Sequence, residues 1–194
     1  MYTAIARAIS NGLLKRKIIE EWQLAEQFYG IKYALALTMN GVAIVAIGFA
    51  LSMQVESIIF LFAFTMLRPY AGGFHFSNHL VCFLASVGMT VAVLFGSKFL
   101  LVAGPKATTA TICIGSLLIL ALAPVAAPRK PLDAKERQVY RGRCIAILLA
   151  ELIVSVCLTI SGREELAAVI QINLLAIGVC LVAGIIQSAC QSKK

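Results

Sequence analysis

Hydrophobic positions along this chain come in long unbroken runs, not in the alternating or short-period patterns of soluble elements. The runs occupy residues 33–53, 55–67, 80–103, 107–126, 144–161 and 166–187. A spanning helix needs about 20 apolar residues to cross a core about 30 Å thick, and five runs meet or approach that length. The second holds only 13 residues, which as a helix reach about 20 Å. The pattern predicts an all-α polytopic membrane protein with six transmembrane helices. Something unusual is expected between spans two and three.

Residues 1–31 follow a different rule. Ile18, Trp22, Ala25 and Tyr29 recur at steps of three and four, with Ile19 beside them. Lys15, Arg16, Lys17, Glu20, Glu21 and Glu26 fall on the other faces. Ser10-Asn11-Gly12 is expected to separate this helix from a shorter one holding Ile5 and Ile9. A tryptophan beside a basic edge suits a helix lying in the lipid headgroup region; a helix packed on the ends of the spans fits the same pattern. No apolar core precedes a small-residue cleavage site, so no secretory signal is expected. The predicted division is 1–31 as amphipathic interfacial helices and 32–194 as the six-span domain.

Composition agrees with this pattern. Of the 194 residues 60% are hydrophobic and 13% charged, with a mean hydropathy of +0.91. Soluble domains are about one-quarter charged. A soluble globule, a disordered chain and a reader of nucleic acid from solution are excluded. The formal charge of +8 is placed by topology. With the N-terminus cytoplasmic, six spans leave only Lys98, Lys106 and Arg163 outside, against fourteen Lys and Arg inside. The positive-inside rule therefore puts both termini in the cytoplasm. No repeat relates the two halves, which argues against a transporter built on internal symmetry. The six cysteines lie within or at the ends of apolar runs and read as small apolar residues, not as a disulfide framework.

Candidate chemistry is concentrated in one segment, Arg68-Pro69-Tyr70-Ala71-Gly72-Gly73-Phe74-His75-Phe76-Ser77-Asn78-His79-Leu80-Val81-Cys82, which holds both histidines of the chain. Pro69 disfavours the helical region for Arg68, so the second span is expected to stop there. Gly72-Gly73 frees the backbone for turns that other residues resist. Irregular backbone at membrane depth is tolerated only where protein or a wet cavity covers it. The segment thus reads as a site recessed at the cytoplasmic face.

Three arrangements fit. In the first, His75 serves as base to a Cys82 nucleophile. Seven residues on an unbroken helix are about 10.5 Å, beyond the reach of about 3 Å that proton transfer needs, so the chain must bend. Ser77 or Asn78 can cap a helix that starts after the bend. In the second, His79 is the base, three residues from Cys82 and its neighbour on a helix. In the third, His75, His79 and Cys82 ligate a metal; Phe76 stands where the HExxH zinc proteases place glutamate, and no acidic residue lies nearby, so no metal or other cofactor is expected. The bland alternative is two hydrogen-bonded histidines and a packed cysteine at a helix end.

Two further features are less specific. Glu151 falls inside the fifth span, where an ionisable residue is a functional candidate or a helix–helix hydrogen bond. The proline-punctuated loop with Arg129 and Lys130 sets topology and meets anionic lipid, or docks an acidic peptide.

The Arg68…Gly72-Gly73-Phe74-His75…Cys82 pattern, between two early spans of a six-span chain of this size, resembles the AgrB family, the accessory gene regulator B proteins of bacterial quorum sensing. The resemblance covers nearly the whole chain, including the amphipathic N-terminus, Lys130-Pro131-Leu132 and the final pair of spans. It implies a multi-pass protein of the bacterial cell membrane, a cysteine endopeptidase acting on an AgrD-like precursor peptide. Cys82 is then the nucleophile and His75 its base, which demotes His79. Family members commonly carry a small residue after the histidine, and this chain has Phe76. The implied reaction cleaves off the precursor tail, leaves an acyl-thioester on Cys82 and passes it to an internal peptide cysteine, closing a thiolactone ring. Backbone N–H groups at Gly72 and Gly73 are candidate oxyanion donors. Arg68, Arg129 and Lys130 are candidate contacts for an acidic precursor tail, and family analogy allows a homodimer. The competing expectation is a small transporter or peptide exporter without covalent chemistry; a non-catalytic membrane scaffold stands behind it.

Overall fold

A computed structural model of the chain describes residues 2–74, 79–126 and 133–191. Seven α-helices account for nearly all of them: α1 (Tyr2–Lys15), α2 (Leu24–Ala50), α3 (Gln54–Ala71), α4 (His79–Ala103), α5 (Pro105–Leu122), α6 (Ala134–Ile160) and α7 (Glu164–Gln191). No strand forms among the described residues. The helices α2 and α4 to α7 are long and apolar enough to cross a membrane. The remaining run, the short one, becomes the 18-residue α3. The chain is an all-α, multi-pass membrane protein.

Two compact units are distinguished, Met1–Ala43 and Ile44–Lys194. In the first, α1 runs through Ser10-Asn11-Gly12 without a break, which corrects the expectation of two helices separated there. The Ser10 hydroxyl folds back to donate to the Ala6 carbonyl at 2.8 Å, sharing an acceptor of the helix's own ladder, a back-bond that a helix tolerates at small cost. The break comes later, at Lys17, with φ of 54°. A short 3-10 turn, Glu21–Gln23, follows; the Glu20 amide donates to the Gln23 side chain at 3.0 Å. From Leu24 the helix is continuous to Ala50.

The second unit is built around α7, which packs against α3, α4, α5 and α6. Half of its most apolar stretch is buried, more than twice the share in any of the other four long apolar helices. Between helices in lipid there is no hydrophobic driving force, so close packing of small residues carries association. Leu67 and Ala71 of α3, Ile119 of α5, Cys144 and Leu148 of α6, and Leu174, Ile177 and Leu181 of α7 form one core cluster. Ile44, Phe60, Val93 and Val169 form another, joining α2, α3, α4 and α7. Short turns fix the order. Gly104 (φ 86°) precedes Pro105 at the start of α5. Asp133 and Glu136 form a capping box at the start of α6, the Asp133 carboxylate accepting from the Ala134 amide at 2.7 Å.

Candidate functional site

The second apolar run ends later than its proline suggests. Helix α3 passes through Pro69 and closes at Ala71, correcting the expected stop at Arg68. Pro69 lacks the N–H that would bond the Thr65 carbonyl, so the last turn of α3 has to be held by other contacts. Two contacts favour the extra turn. Ala71 is fully buried in the core cluster. The Tyr70 ring stands edge-on to Tyr140, centroids 5.8 Å apart, with the Arg143 guanidinium 5.6 Å from the Tyr70 centroid. The Gly72 amide then donates to the Arg68 carbonyl at 3.1 Å and ends the helix.

Beyond it the backbone takes a path open to glycine. Gly72 and Gly73 have φ of 77° and 109°, a region that side chains disfavour. Gly72 forms a one-residue parallel bridge with Val125. The Val125 amide donates to Ala71 O at 3.0 Å, and the Gly73 amide to Val125 O at 3.4 Å. A Cβ at Gly72 would run into the Val125 carbonyl. Val125 follows the cis Ala123–Pro124 bond just after α5. The carbonyls at this end of α5 are held from α6: Arg141 donates to Leu120 O at 3.3 Å and to Ala123 O at 3.4 Å.

The other side of the segment is held by α3 and α7. Arg68 donates through Nη2 to Phe74 O at 2.6 Å. The Phe74 amide donates to Cys180 O on α7 at 3.0 Å. Gly184, one turn further along α7, lies flat against Gly73: a Cβ there would stand 2.6 Å from Gly73 C and 2.8 Å from Phe74 N. Gly72, Gly73 and Phe74 are thus pinned on three sides by backbone or guanidinium donors and acceptors.

Cys82 lies in the first turn of α4, half-buried and with a free thiol. All six cysteines are free thiols. Ser86 Oγ donates to Cys82 O at 3.0 Å and Thr90 Oγ1 to Ser86 O at 2.9 Å, so both hydroxyls are turned onto their own helix. Arg68, Gly72 and Gly73 therefore come together around Phe74, and Cys82 opens the next helix. His75, Arg129 and Lys130 lie outside the described residues. The N–H groups of Gly72 and Gly73 donate to Arg68 O and Val125 O. Service as oxyanion donors requires that segment to re-form around a bound acyl group.

Sequence reasoning passed over Val125, Cys180 and Gly184. A signal for the last two exists: Ala176, Cys180, Gly184 and Ser188 form a row of small residues four apart, the spacing that lets another backbone approach a helix.

The family model for accessory gene regulator B matches residues 6–191. The chain belongs to the AgrB family. It is 24% identical over 184 residues to a Clostridium acetobutylicum protein named "Putative AgrB-like protein", covering 90% of this chain and 88% of that one. It is 23% identical over 154 residues to "Putative AgrB-like protein 2" of Clostridium perfringens, covering 74% and 72% respectively. No solved structure matches it. AgrB membership agrees with the Gly-Gly-Phe-His…Cys pattern and with the multi-pass helical architecture.

A second polar group lies deeper in the bundle. Glu151 of α6 is buried and stands beside Asn173 of α7; among the described residues neither side chain reaches hydrogen-bonding geometry. One turn along α6, Ser155 Oγ accepts from Gln171 Nε2 of α7 at 3.1 Å.

Proposed function

We propose that this AgrB-family protein is an integral-membrane cysteine endopeptidase that cuts an AgrD-like precursor and cyclises the retained part for quorum sensing. The observation that carries the reading is the position of Cys82. It is half-exposed in the first turn of α4, and the pinned Gly-Gly-Phe segment leads into His75 on its N-terminal side.

In this reading His75 takes the Cys82 thiol proton, and Sγ attacks the carbonyl carbon of a precursor peptide bond. The bond to nitrogen breaks, the departing amine takes the proton from His75, and an acyl-thioester remains on Cys82. An internal cysteine of the bound peptide gives its proton to His75 and attacks the thioester carbonyl. The ring closes as a thiolactone and Cys82 leaves as thiolate. One thioester replaces another, so ring closure needs little net driving force. Water competes for the acyl-enzyme; a recessed site that holds the peptide thiol close favours the ring through effective concentration. The first turn of a helix presents N–H groups not engaged within the helix, donors of the kind an oxyanion needs.

The site opens to the cytoplasm, as does each terminus, because that orientation leaves only Lys98, Lys106 and Arg163 on the outer side. An amphipathic precursor leader would lie on the inner leaflet near residues 1–31, and its acidic tail would meet Arg68, Arg129 and Lys130.

The test is mass spectrometry of a short, acidic-tailed, cysteine-containing peptide encoded beside this gene. It is co-expressed with wild type, Cys82→Ala, His75→Ala and His79→Ala. Cleavage should occur with wild type and His79→Ala and be lost with the other two, and a cyclic product mass adds the second step. Processing that survives Cys82→Ala removes the nucleophile and favours a peptide exporter.

A further inference from the structure

Helix α7 begins at Glu164, 82 residues after Cys82 in sequence, and the proposed reaction assigns it no chemistry. Yet two of its features touch the segment that leads into His75. The Cys180 carbonyl accepts the Phe74 amide at 3.0 Å. A carbonyl oxygen has two lone pairs, so accepting from Phe74 does not require α7 to give up its own ladder. Gly184 supplies the space. With any side chain there, Cβ would sit 2.6 Å from Gly73 C and 2.7 Å from Gly73 Cα, closer than non-bonded atoms tolerate. The partner surface is equally bare: a Cβ on Gly73 would meet Cys180 O at 2.8 Å. Both contacting elements at this point are backbone, and neither can swing aside as a side chain can.

From these contacts we propose that the Cys180–Gly184 turn of α7 is a positioning element for catalysis. The Cys180 carbonyl and the missing side chain of Gly184 fix Gly73 and Phe74, the residues that immediately precede His75 in sequence. The inference rests on the cysteine-peptidase reading above. Gly184 and Cys180 touch no substrate in this scheme; they act through the chain before His75. The Cys180 thiol itself is dispensable, since the backbone makes the contact.

A base held against a thiol supports thiolate chemistry at pH values where an isolated thiol is protonated. The measurement is therefore the rate of iodoacetamide alkylation of Cys82 in the detergent-solubilised full chain, read by mass spectrometry of the Cys82 peptide at pH 6 and pH 9.5. Wild type is compared with His75→Ala, Gly184→Ala, Phe74→Pro and Ile185→Ala. Phe74→Pro removes the N–H that Cys180 accepts without adding bulk on α7. Ile185 lies beside Gly184 and is partly exposed (42%), so it controls for a general disturbance of the helix.

The expected result is a fall of about tenfold or more at pH 6 in His75→Ala, Gly184→Ala and Phe74→Pro, with rates converging at pH 9.5, above the pH of about 8.5 where a free thiol ionises without a base. Ile185→Ala should follow wild type. A fall in His75→Ala with wild-type profiles in both Gly184→Ala and Phe74→Pro overturns the positioning role alone. No fall in His75→Ala overturns the Cys82–His75 pair and the inference with it. Should Gly184→Ala fail to fold, Phe74→Pro decides.

Discussion

Gly115 of α5 and Leu175 of α7 meet backbone to backbone: a Cβ on Gly115 would lie 2.7 Å from the Leu175 nitrogen and 2.9 Å from the Leu174 carbonyl carbon. Gly178 repeats the pattern from the other helix, its absent Cβ 3.0 Å from Leu118 Cβ. These two glycines set how closely α5 approaches the central helix. Through α5 they set where Val125 stands beside Gly72.

Gly115→Ala should therefore destabilise the bundle. Overpacking of a tight contact costs about 1–3 kcal/mol. Gly88→Ala is the matched control, since a Cβ at Gly88 meets nothing within 4 Å and alanine is the better helix former by about 1 kcal/mol. Thermal unfolding of the solubilised protein should show a lower midpoint for the first and an unchanged or higher one for the second. Equal midpoints would mean that α5 and α7 are free to move apart.

Arg68 offers a sharper distinction. Its Nη2 donates to Phe74 O at 2.6 Å, a contact that depends on the reach and planarity of the guanidinium. Lysine keeps the charge but carries it as a point on a flexible stem. A hydrogen bond from a charged donor contributes about 1.5–3 kcal/mol, so Arg68→Lys should lower precursor processing by roughly tenfold to a hundredfold. Wild-type processing in Arg68→Lys would show that positive charge suffices, as expected of a headgroup anchor or a contact to the precursor tail.

The helical layout was legible because lipid imposes a simple rule: a span must be continuously apolar. That rule located α4, α5 and α7 within a few residues at most ends. It was weaker at the polar ends. Helix α6 begins at Ala134, ten residues before its apolar run, because the Asp133 cap starts it there. Ser10 and Gly12 read as a break, yet a hydroxyl turned onto Ala6 O and a glycine costing about 1 kcal/mol are both tolerated inside a helix. At the site, Arg68, the glycines and Cys82 stood out because proline, paired glycines and histidine are conspicuous among apolar residues. Cys180 and Gly184 did not. What matters at Cys180 is a carbonyl, which every residue has, and at Gly184 the absence of a side chain opposite Gly73, a contact between segments far apart in sequence.

Glu151 and Asn173 face each other inside the bundle. Among the described residues neither makes a hydrogen bond in this arrangement, but a small closure would join them, whereas removing one member strands the other at a cost of about 1–3 kcal/mol. Glutamine at 151 keeps the length and offers both a donor and an acceptor to the Asn173 amide. Glu151→Gln should leave the unfolding midpoint and precursor processing near wild type. Glu151→Ala removes the partner and opens a cavity, and should cost about 2–4 kcal/mol. Loss of processing in a fully stable Glu151→Gln would instead make the carboxyl itself functional.

Helix α3 has 18 residues, about 27 Å of helix, against a hydrocarbon core of about 30 Å. It is the one helix of the second unit outside the five that meet the length and apolarity of a span. Its crossing decides where the ends of the protein lie. If α3 crosses, six spans put both ends on one side; if it does not, five spans separate them. Lys15→Cys, Lys106→Cys and native Cys190, each as the sole cysteine, report the three positions. All three residues are exposed. In intact cells a membrane-impermeant maleimide should label only Lys106→Cys, with the other two reacting after the membrane is opened. Labelling of Lys15→Cys with protection of Cys190 would mean that α3 turns back without crossing. The Gly72–Phe74 segment would then still lie with the end of α7, but the positive residues of the N-terminal segment would lie outside, against the charge rule. Shared protection of Lys15→Cys and Cys190 would mean that α3 crosses despite its length, which would set the Gly-Gly break, packed on α7, short of the membrane surface.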